Sequence, residues 1–347
     1  MSGPNNFIRR LMVELDKMDL PPFQIINPGS YSKTPINKKI VNIGRLDGVM
    51  YYKTTNINLC NYLRQNNIMG GSLIKYIPSS ITSKLTGPFN NYLNRFNRKL
   101  IKHSDAIVFQ SQLSKDMHSH FIGEVDNIKY SDVILNGIPT DIFRPHSKTN
   151  VKLEGYPRLV ITASFRLHKR LQEAIKLTNY LHMHGYTDVK LHVVGNMDLL
   201  TKQAISKLST DRCVFHGFVD SNSLPMIYSK CHIGLSLCIF DSCPNSVLEM
   251  MACGLPVITN SNSGATELIN CEDLSVEDNF NINYMELHDV NKIPHINTLK
   301  WFGVIEKIMK DQDVYSKLML QRVNKELNIS CVSKKYADLI IKAYHEK

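Results

Sequence analysis

The stretch Phe240-Asp241-Ser242-Cys243-Pro244-Asn245-Ser246-Val247-Leu248-Glu249-Met250-Met251-Ala252-Cys253-Gly254-Leu255-Pro256-Val257-Ile258 decides the reading of this chain. It carries two carboxylates in a D-x7-E spacing, a helix start, a helix stop and then a short apolar strand. Pro244 suits a first helical turn, where its missing N–H is not needed. Asn245 and Ser246 suit the same turn, and Gly254 suits the residue just past the helix end. Leu255 to Ile258 reads as a buried strand. A helix N-terminus in this setting is an anion site, because unpaired N–H groups and the macrodipole favour phosphate there. Asp241 precedes that terminus and Glu249 lies about a turn inside it. A phosphate would repel both, so their natural partners are sugar and ribose hydroxyls, from which an ionised carboxylate accepts hydrogen bonds. Taken alone, D-x7-E also fits a loop Asp and a helix-capping Glu of some other α/β protein.

Working outward, a chain of 347 residues has room for two domains, and its net charge of +10 favours acidic partners: nucleotide phosphates, anionic lipid surfaces or nucleic acid. Nucleic acid rests on the charge alone, since no recognition-helix motif or aromatic-rich basic strand accompanies it, and it is not expected as a partner. The 8 cysteines form no C-x-x-C pair, so neither a zinc ribbon nor a redox motif is signalled. Most sit in apolar runs, where a reduced thiol acts as a small hydrophobe, and a reducing, cytoplasmic setting is expected. Phe7 to Leu15 is too charged for a secretory signal, and no apolar run approaches the length of a membrane span. The densest cationic cluster, residues 94–102, gives Tyr92, Leu93, Phe96, Leu100 and Ile101 one side of a helix. That pattern suits either a peripheral contact with an anionic membrane or a solvated face over the core.

Apolar strands alternate with helical stretches, which points to α/β with parallel sheets. In the first half, strands are expected at 39–43 (running into Gly44-Arg45-Leu46-Asp47-Gly48), 104–111 and 131–136, with a helix at 112–121. A polar linker at 146–157 follows. The second half gives strands at 158–163, 189–194, 213–215 and 231–238, and helices at 168–181, 199–208 and 223–230. Helices near 298–311 and 332–346 finish the chain. Thr162-Ala163-Ser164-Phe165-Arg166-Leu167-His168-Lys169-Arg170-Leu171 follows a strand and opens a helix, as a phosphate-facing loop should; Arg170 is expected to point outward. Gln110 and Ser111 end a strand toward the crevice where ligands bind in open α/β sheets.

Set in its C-P-N-S-x-x-E-x-x-x-C-G-x-P-V frame, the D-x7-E resembles the E-x7-E signature of the retaining GT-B glycosyltransferases, glycosyltransferase family 4. The resemblance continues through Ser104-Asp105-Ala106-Ile107-Val108-Phe109-Gln110-Ser111, Asn136-Gly137-Ile138-Pro139-Thr140-Asp141-Ile142-Phe143, Gly217-Phe218-Val219-Asp220 and Ser263-Gly264-Ala265-Thr266-Glu267. It covers residues 104 to 270 well and is weak before 100. It implies an α/β GT-B architecture, two Rossmann-like domains facing across a cleft, with an abbreviated N-terminal domain. The implied divisions are an acceptor-side domain at 1–150, a nucleotide-sugar-binding domain at 151–328, and a helix at 329–347 crossing back onto the first.

The implied activity is retaining transfer of a sugar from a nucleotide diphosphate sugar to an acceptor hydroxyl of a glycan, glycolipid or other glycoconjugate, without a metal and without a cofactor. By resemblance, Asp241 contacts the donor sugar, although the family has the longer Glu there, and Glu249 holds the ribose hydroxyls. Lys169 takes the place of the phosphate-binding Lys of G-R-L-x-x-x-K-G. The Arg of that pattern falls at Ser164, and Arg166 supplies the charge from a shifted position. Backbone N–H groups of Asn245, Ser246 and Val247 face the donor, and the Asn245 side chain either contacts the donor or caps the helix. Many family members carry a His in the first domain; no His aligns here, and Asp47 or Arg45 lines the acceptor side instead. Asp47 then orients or deprotonates the acceptor hydroxyl, unless it is a plain turn residue before Gly48. The alternatives that stay open are a noncatalytic nucleotide-sugar-binding protein of this fold and a GT-B nucleotide-sugar epimerase.

Overall fold

The computed structural model describes residues 3–27, 35–46, 97–122, 128, 130–146, 151–239, 241–278 and 293–347. Short Val-, Ile- and Leu-rich runs form two wholly parallel sheets. The first holds β1 (Phe23–Ile26), β2 (Val41–Leu46), β3 (Ala106–Phe109) and β4 (Ser131–Val133) in the order β1-β2-β3-β4. Every residue of β2 and β3 is buried, as in parallel strands covered on both faces, and β2 buries two polar residues, Asn42 and Arg45, among its apolar ones. The second sheet holds β5 (Arg158–Thr162), β6 (Lys190–Val194), β7 (Cys213–Gly217), β8 (Ile233–Ser236), β9 (Val257–Asn260) and β10 (Ser275–Val276) in the order β10-β9-β8-β5-β6-β7. That is the doubly wound order of dinucleotide-binding folds. It reverses between β5 and β8, so a crevice opens at the carboxyl ends of those two strands.

The helices are α1 (Gly3–Leu15), α2 (Gln112–Ile122), α3 (Leu171–Met183), α4 (Leu199–Ile205), α5 (Leu224–Tyr228), α6 (Asn245–Ala252), α7 (Ala265–Ile269), α8 (Thr298–Lys310), α9 (Gln312–Arg322) and α10 (Ile329–His345). Phe7, Leu11 and Leu15 recur every fourth residue along α1 and are buried on one face. That face meets α10, with the Phe7 and Tyr336 rings 6.3 Å apart. Both helices share one core with Val41, Ile43, Ala106 and Val108 of the first sheet. The last helix of the chain therefore packs on the first sheet. The two segments passing between the sheets run side by side: the Ile138 N–H donates to the Leu327 carbonyl at 2.9 Å, and the Ile329 N–H to the Ile138 carbonyl at 3.0 Å.

Several elements differ from the sequence reading. The helix expected from 168 begins instead as a 3-10 turn, Leu167–Lys169, broken by a left-handed residue, Arg170 (φ 52°), before α3 starts. The strand expected at Leu255 starts at Val257, because Gly254 (φ +75°) first turns the chain out of α6. α1, β1, α7, β10 and α9 have no counterpart in the sequence reading. Asp47 and residues 92–96 of the cationic segment lie outside the described residues, while residues 97–103 are helical with Leu100 buried. Among those described, no helix is long and apolar enough to cross a membrane, and seven cysteines are free.

Candidate functional site

β5 ends at Thr162 beside the switch point, and its continuation forms one side of a cavity of about 670 Å³. The chain passes Ser164 and Arg166 on the wall, then tightens into the 3-10 turn that presents Lys169. Arg170 is not an outward residue, as the sequence suggested. Its left-handed backbone turns the side chain inward, where it is fully buried. There Nε donates to the Leu237 carbonyl at 2.6 Å and Nη2 to Asp278 Oδ2 at 2.9 Å. Asp278 Oδ1 accepts from Trp301 Nε1 at 3.2 Å. A buried charge persists only when paired in this way.

Lys169 Nζ donates to Asp241 Oδ2. Burial by itself would depress the Lys169 ammonium, but the adjacent Asp241 carboxylate outweighs it and holds the group above its ordinary value. Burial pushes the Cys238 thiol up to about 11, so it stays a neutral neighbour. The backbone of Asp241 is fixed from behind: its carbonyl accepts the Gly264 N–H at 2.8 Å. A Cβ at Gly264 would lie 1.8 Å from the Ser242 carbonyl oxygen, so no larger residue permits this approach.

Helix α6 starts at the cavity with Pro244 as N-cap and no side-chain cap. Asn245 does not cap it: its Oδ1 accepts from Asn136 Nδ2 at 2.9 Å. Asn136 Oδ1 in turn accepts from Arg45 Nη2 at 2.8 Å, and the same nitrogen donates to Gln110 Oε1 at 3.2 Å. Arg45 is fully buried, its guanidinium 4.7 Å from the Phe7 ring centroid. It therefore stands behind the first-domain wall and does not line the cavity, where the sequence reading offers Arg45 or Asp47 as a lining residue.

Of the sequence-nominated residues, Asp241, Lys169, Arg166, Ser164, Asn245 and Ser246 meet on the cavity wall, with Gln110 and Asn136 facing them from the first domain. Val247 and Glu249 are not on that wall. Val247 is buried, and its N–H is spent on the Pro244 carbonyl at 3.0 Å. Glu249 lies a turn deeper and accepts from the Tyr228 hydroxyl at 3.4 Å. Burial pushes its carboxyl up to about 7, against the opposing pull of the Arg10 charge on α1 and the Tyr228 hydroxyl. Two features escaped the sequence reading. Phe218, 75% exposed, stands at the cavity. Glu267 of α7 accepts the N–H groups of Gln112 (2.7 Å) and Leu113 (2.9 Å), capping α2 of the first domain from the second. An exposed aromatic after a strand-ending Gly was the available signal for the first. For the second there was none, because a cap from another domain leaves no local pattern.

The two facing Rossmann-like domains, with the cavity between them, define the GT-B class of fold. Residues 143–283 match the family model described as glycosyl transferases group 1. Over 238 residues the chain is 24% identical to an uncharacterized glycosyltransferase, MJ1059, of Methanocaldococcus jannaschii; the match covers 65% of this chain and 57% of that protein. The matched part thus spans little more than half the length of that relative. Among solved structures, sucrose-phosphate synthase from Thermosynechococcus elongatus is similar with a TM-score of 0.63 at 14% identity, covering 94% of this chain and 74% of that one. TarM gives a TM-score of 0.61 at 11% identity, covering 96% and 58%. Anabaena HepE in complex with UDP and glucose gives 0.58 at 12% identity, covering 97% and 95%. These likenesses show a shared fold.

Proposed function

We propose that this chain is a retaining, metal-independent glycosyltransferase of family 4 type, moving a hexosyl group from a nucleotide diphosphate sugar to an acceptor hydroxyl of a glycan, glycolipid or other glycoconjugate. The observation that carries the reading is the convergence of Lys169, Asp241 and the uncapped N-terminus of α6 on one cavity at the switch point of the second sheet. HepE, whose fold this chain shares, has been crystallised with UDP-glucose, which supports a uridine or similar nucleotide sugar as donor. As the glycosidic bond to the leaving group breaks, charge builds on the β-phosphate. Lys169, Arg166 and the first N–H groups of α6 are placed to stabilise it. In the ligand-free protein Lys169 is paired with Asp241. A bound pyrophosphate competes for the ammonium and frees the Asp241 carboxylate to accept from sugar hydroxyls. The leaving phosphate then assists deprotonation of the acceptor on the same face of the sugar. Asp47 is proposed as an acceptor-side residue, and Glu249 as the ribose partner once the cleft adjusts around the donor. The free thiols suit a reducing cytoplasmic setting, with a peripheral membrane contact through the cationic segment where the acceptor is a lipid.

The test is a panel of UDP-, GDP- and other nucleotide sugars followed by thermal denaturation, since a ligand that binds only the native state raises the melting temperature by mass action. Slow hydrolysis of the stabilising donor in the absence of acceptor is the expected second result. Binding without any hydrolysis or transfer would instead mark a noncatalytic nucleotide-sugar-binding protein, and no stabilisation by any donor would refute the reading.

A further inference from the structure

Glu249 stands four residues after Asn245 and three after Ser246, so the three share one face of α6, and the first two line the cavity. Side chains on a helix lean toward its N-terminus, so the carboxylate leans back toward the cavity from a turn below. Its Oε2 accepts from the Tyr228 hydroxyl at 3.4 Å, the one hydrogen bond Glu249 makes among the described residues. Tyr228 ends α5 fully buried, its ring packed into the core of the second domain. Thr162, at the end of β5 and on the cavity wall, lies beside the same hydroxyl. The titratable groups that face Glu249 are Arg10 of α1, Tyr228 of α5 and Cys253 further along α6. The Arg10 guanidinium lies 5.3 Å from the Phe143 ring centroid. Burial keeps the Tyr228 hydroxyl and the Cys253 thiol neutral, so Arg10 is the one charge of the three.

We propose that Tyr228 is a positioning residue for the donor site: its hydroxyl holds Oε2 of Glu249 and leaves Oε1 to accept from the ribose hydroxyls. The proposal rests on the reading of the cavity as a nucleotide-sugar site with Glu249 as ribose partner, and it adds the residue that aims that partner. A hydroxyl that donates to a carboxylate also favours the ionised form, in which both oxygens are acceptors. Burial pushes the Glu249 carboxyl up to about 7, and Arg10 and then Tyr228 pull against it. Without the hydroxyl the carboxyl rises further and holds its proton at neutral pH. A phenyl ring fills the same space and supplies neither the aim nor the pull.

The test is Tyr228→Phe, read by calorimetric titration of UDP, GDP, ADP and CDP, their 2′-deoxy counterparts and inorganic pyrophosphate. At about pH 7.5 the nucleoside diphosphate that the wild type binds should bind about tenfold more weakly, the scale of one hydrogen bond to a charged group. The loss should narrow toward about pH 9, where Glu249 is ionised in both proteins. The preference for ribose over 2′-deoxyribose should shrink, and pyrophosphate, which has no ribose, should bind as it does to wild type. A tyrosine that only fills the core would weaken every probe together and at every pH. If Tyr228→Phe does not fold, the double variant Tyr228→Phe/Glu249→Gln is compared with Glu249→Gln, since losing both ends of a buried charged bond is tolerated better than losing one. Equal affinity of those two for the nucleoside diphosphate supports the proposal, and a further loss in the double variant overturns it. A folded Tyr228→Phe protein with wild-type nucleotide affinity, or with pyrophosphate weakened as much as the nucleotide, overturns the proposal while leaving the donor-site reading intact. Wild-type protein that binds none of the four nucleoside diphosphates overturns both.

Discussion

Lys169 and Asp241 neutralise each other on the cavity wall, so removing either leaves a charge without its partner. Lys169→Ala should lower kcat/KM for the donor by on the order of 10²- to 10³-fold, the scale of losing one preorganised contact to the developing charge. Circular dichroism should show the fold retained, since the pair is part-exposed. Glu249 behaves differently. Its folded value near 7 lies above its ordinary 4.5, so the native state favours the protonated form and the unfolded chain gives up the proton more readily. Its contribution is neutral below about pH 4.5, becomes destabilising as pH rises toward 7, and is fully destabilising above. Glu249→Gln should therefore melt close to wild type near pH 4 and above it at pH 8; equal melting at both would remove the burial account. Lys169 and Asp241 were legible because each stands in a local motif. Arg170 was not. Its partner Asp278 is far away in sequence, and only the three-dimensional path shows that the residue after Lys169, a Gly in the resembled pattern, has become a buried arginine in left-handed conformation. Arg170→Gly relieves that backbone but strands Asp278, so it should cost about 3–5 kcal/mol in chemical denaturation. Asp278→Asn in the same chain should restore part of the loss.

At the scale of elements, the site is made where helix starts meet strand ends. α6 begins without a side-chain cap, and Asn245 and Ser246 of its first turn line the cavity. α2 begins with its N–H groups closed by Glu267 from the other domain. The one terminus faces the cavity, and the other works as a joint between domains. Glu267→Ala should cost about 1 kcal/mol, the usual worth of a helix cap. It should also raise the KM for donor more than it lowers kcat, because a looser joint leaves the two walls of the cavity less often in register. A variant that loses stability with KM unchanged would show the cap to be structural only. α6 was readable from Pro244 and Gly254, which mark its two ends. α1 was also within reach of the sequence, because Phe7, Leu11 and Leu15 make a one-sided apolar stripe. β1 carries only four residues and follows Pro21 and Pro22, and α9 leaves Val314 and Leu318 exposed, so neither shows a periodicity that stands out.

For the whole molecule, the connection between domains is the decisive feature. The chain leaves the first sheet, builds the second, and then returns through Asn328 so that α10 completes the first core. Val332, Tyr336 and Ile340 are buried against α1 and the β2–β3 pair, so the first domain cannot close its core without the last element of the chain. Alternation of strands and helices made most strands of the second sheet readable; their order, and the switch point between β5 and β8, follow only from the pairing in three dimensions. The first core was less readable because half its apolar cover lies some three hundred residues away from the strands it packs on. The consequence is an asymmetry in stability. A chain ending at residue 328 loses most of one face of the first sheet while the second sheet keeps its own core of Leu159, Val193, Leu235 and Trp301. Hydrogen exchange on this truncation should show fast exchange in β2 and β3 and near-native protection in β5, β6 and β8. The donor half of the cavity then survives on the second domain, so pyrophosphate binding should weaken without vanishing, while sugar transfer, which needs the wall carrying Gln110 and Asn136, is lost. Uniform loss of protection in both sheets would mean that the domains fold as one cooperative unit and that α10 supports both.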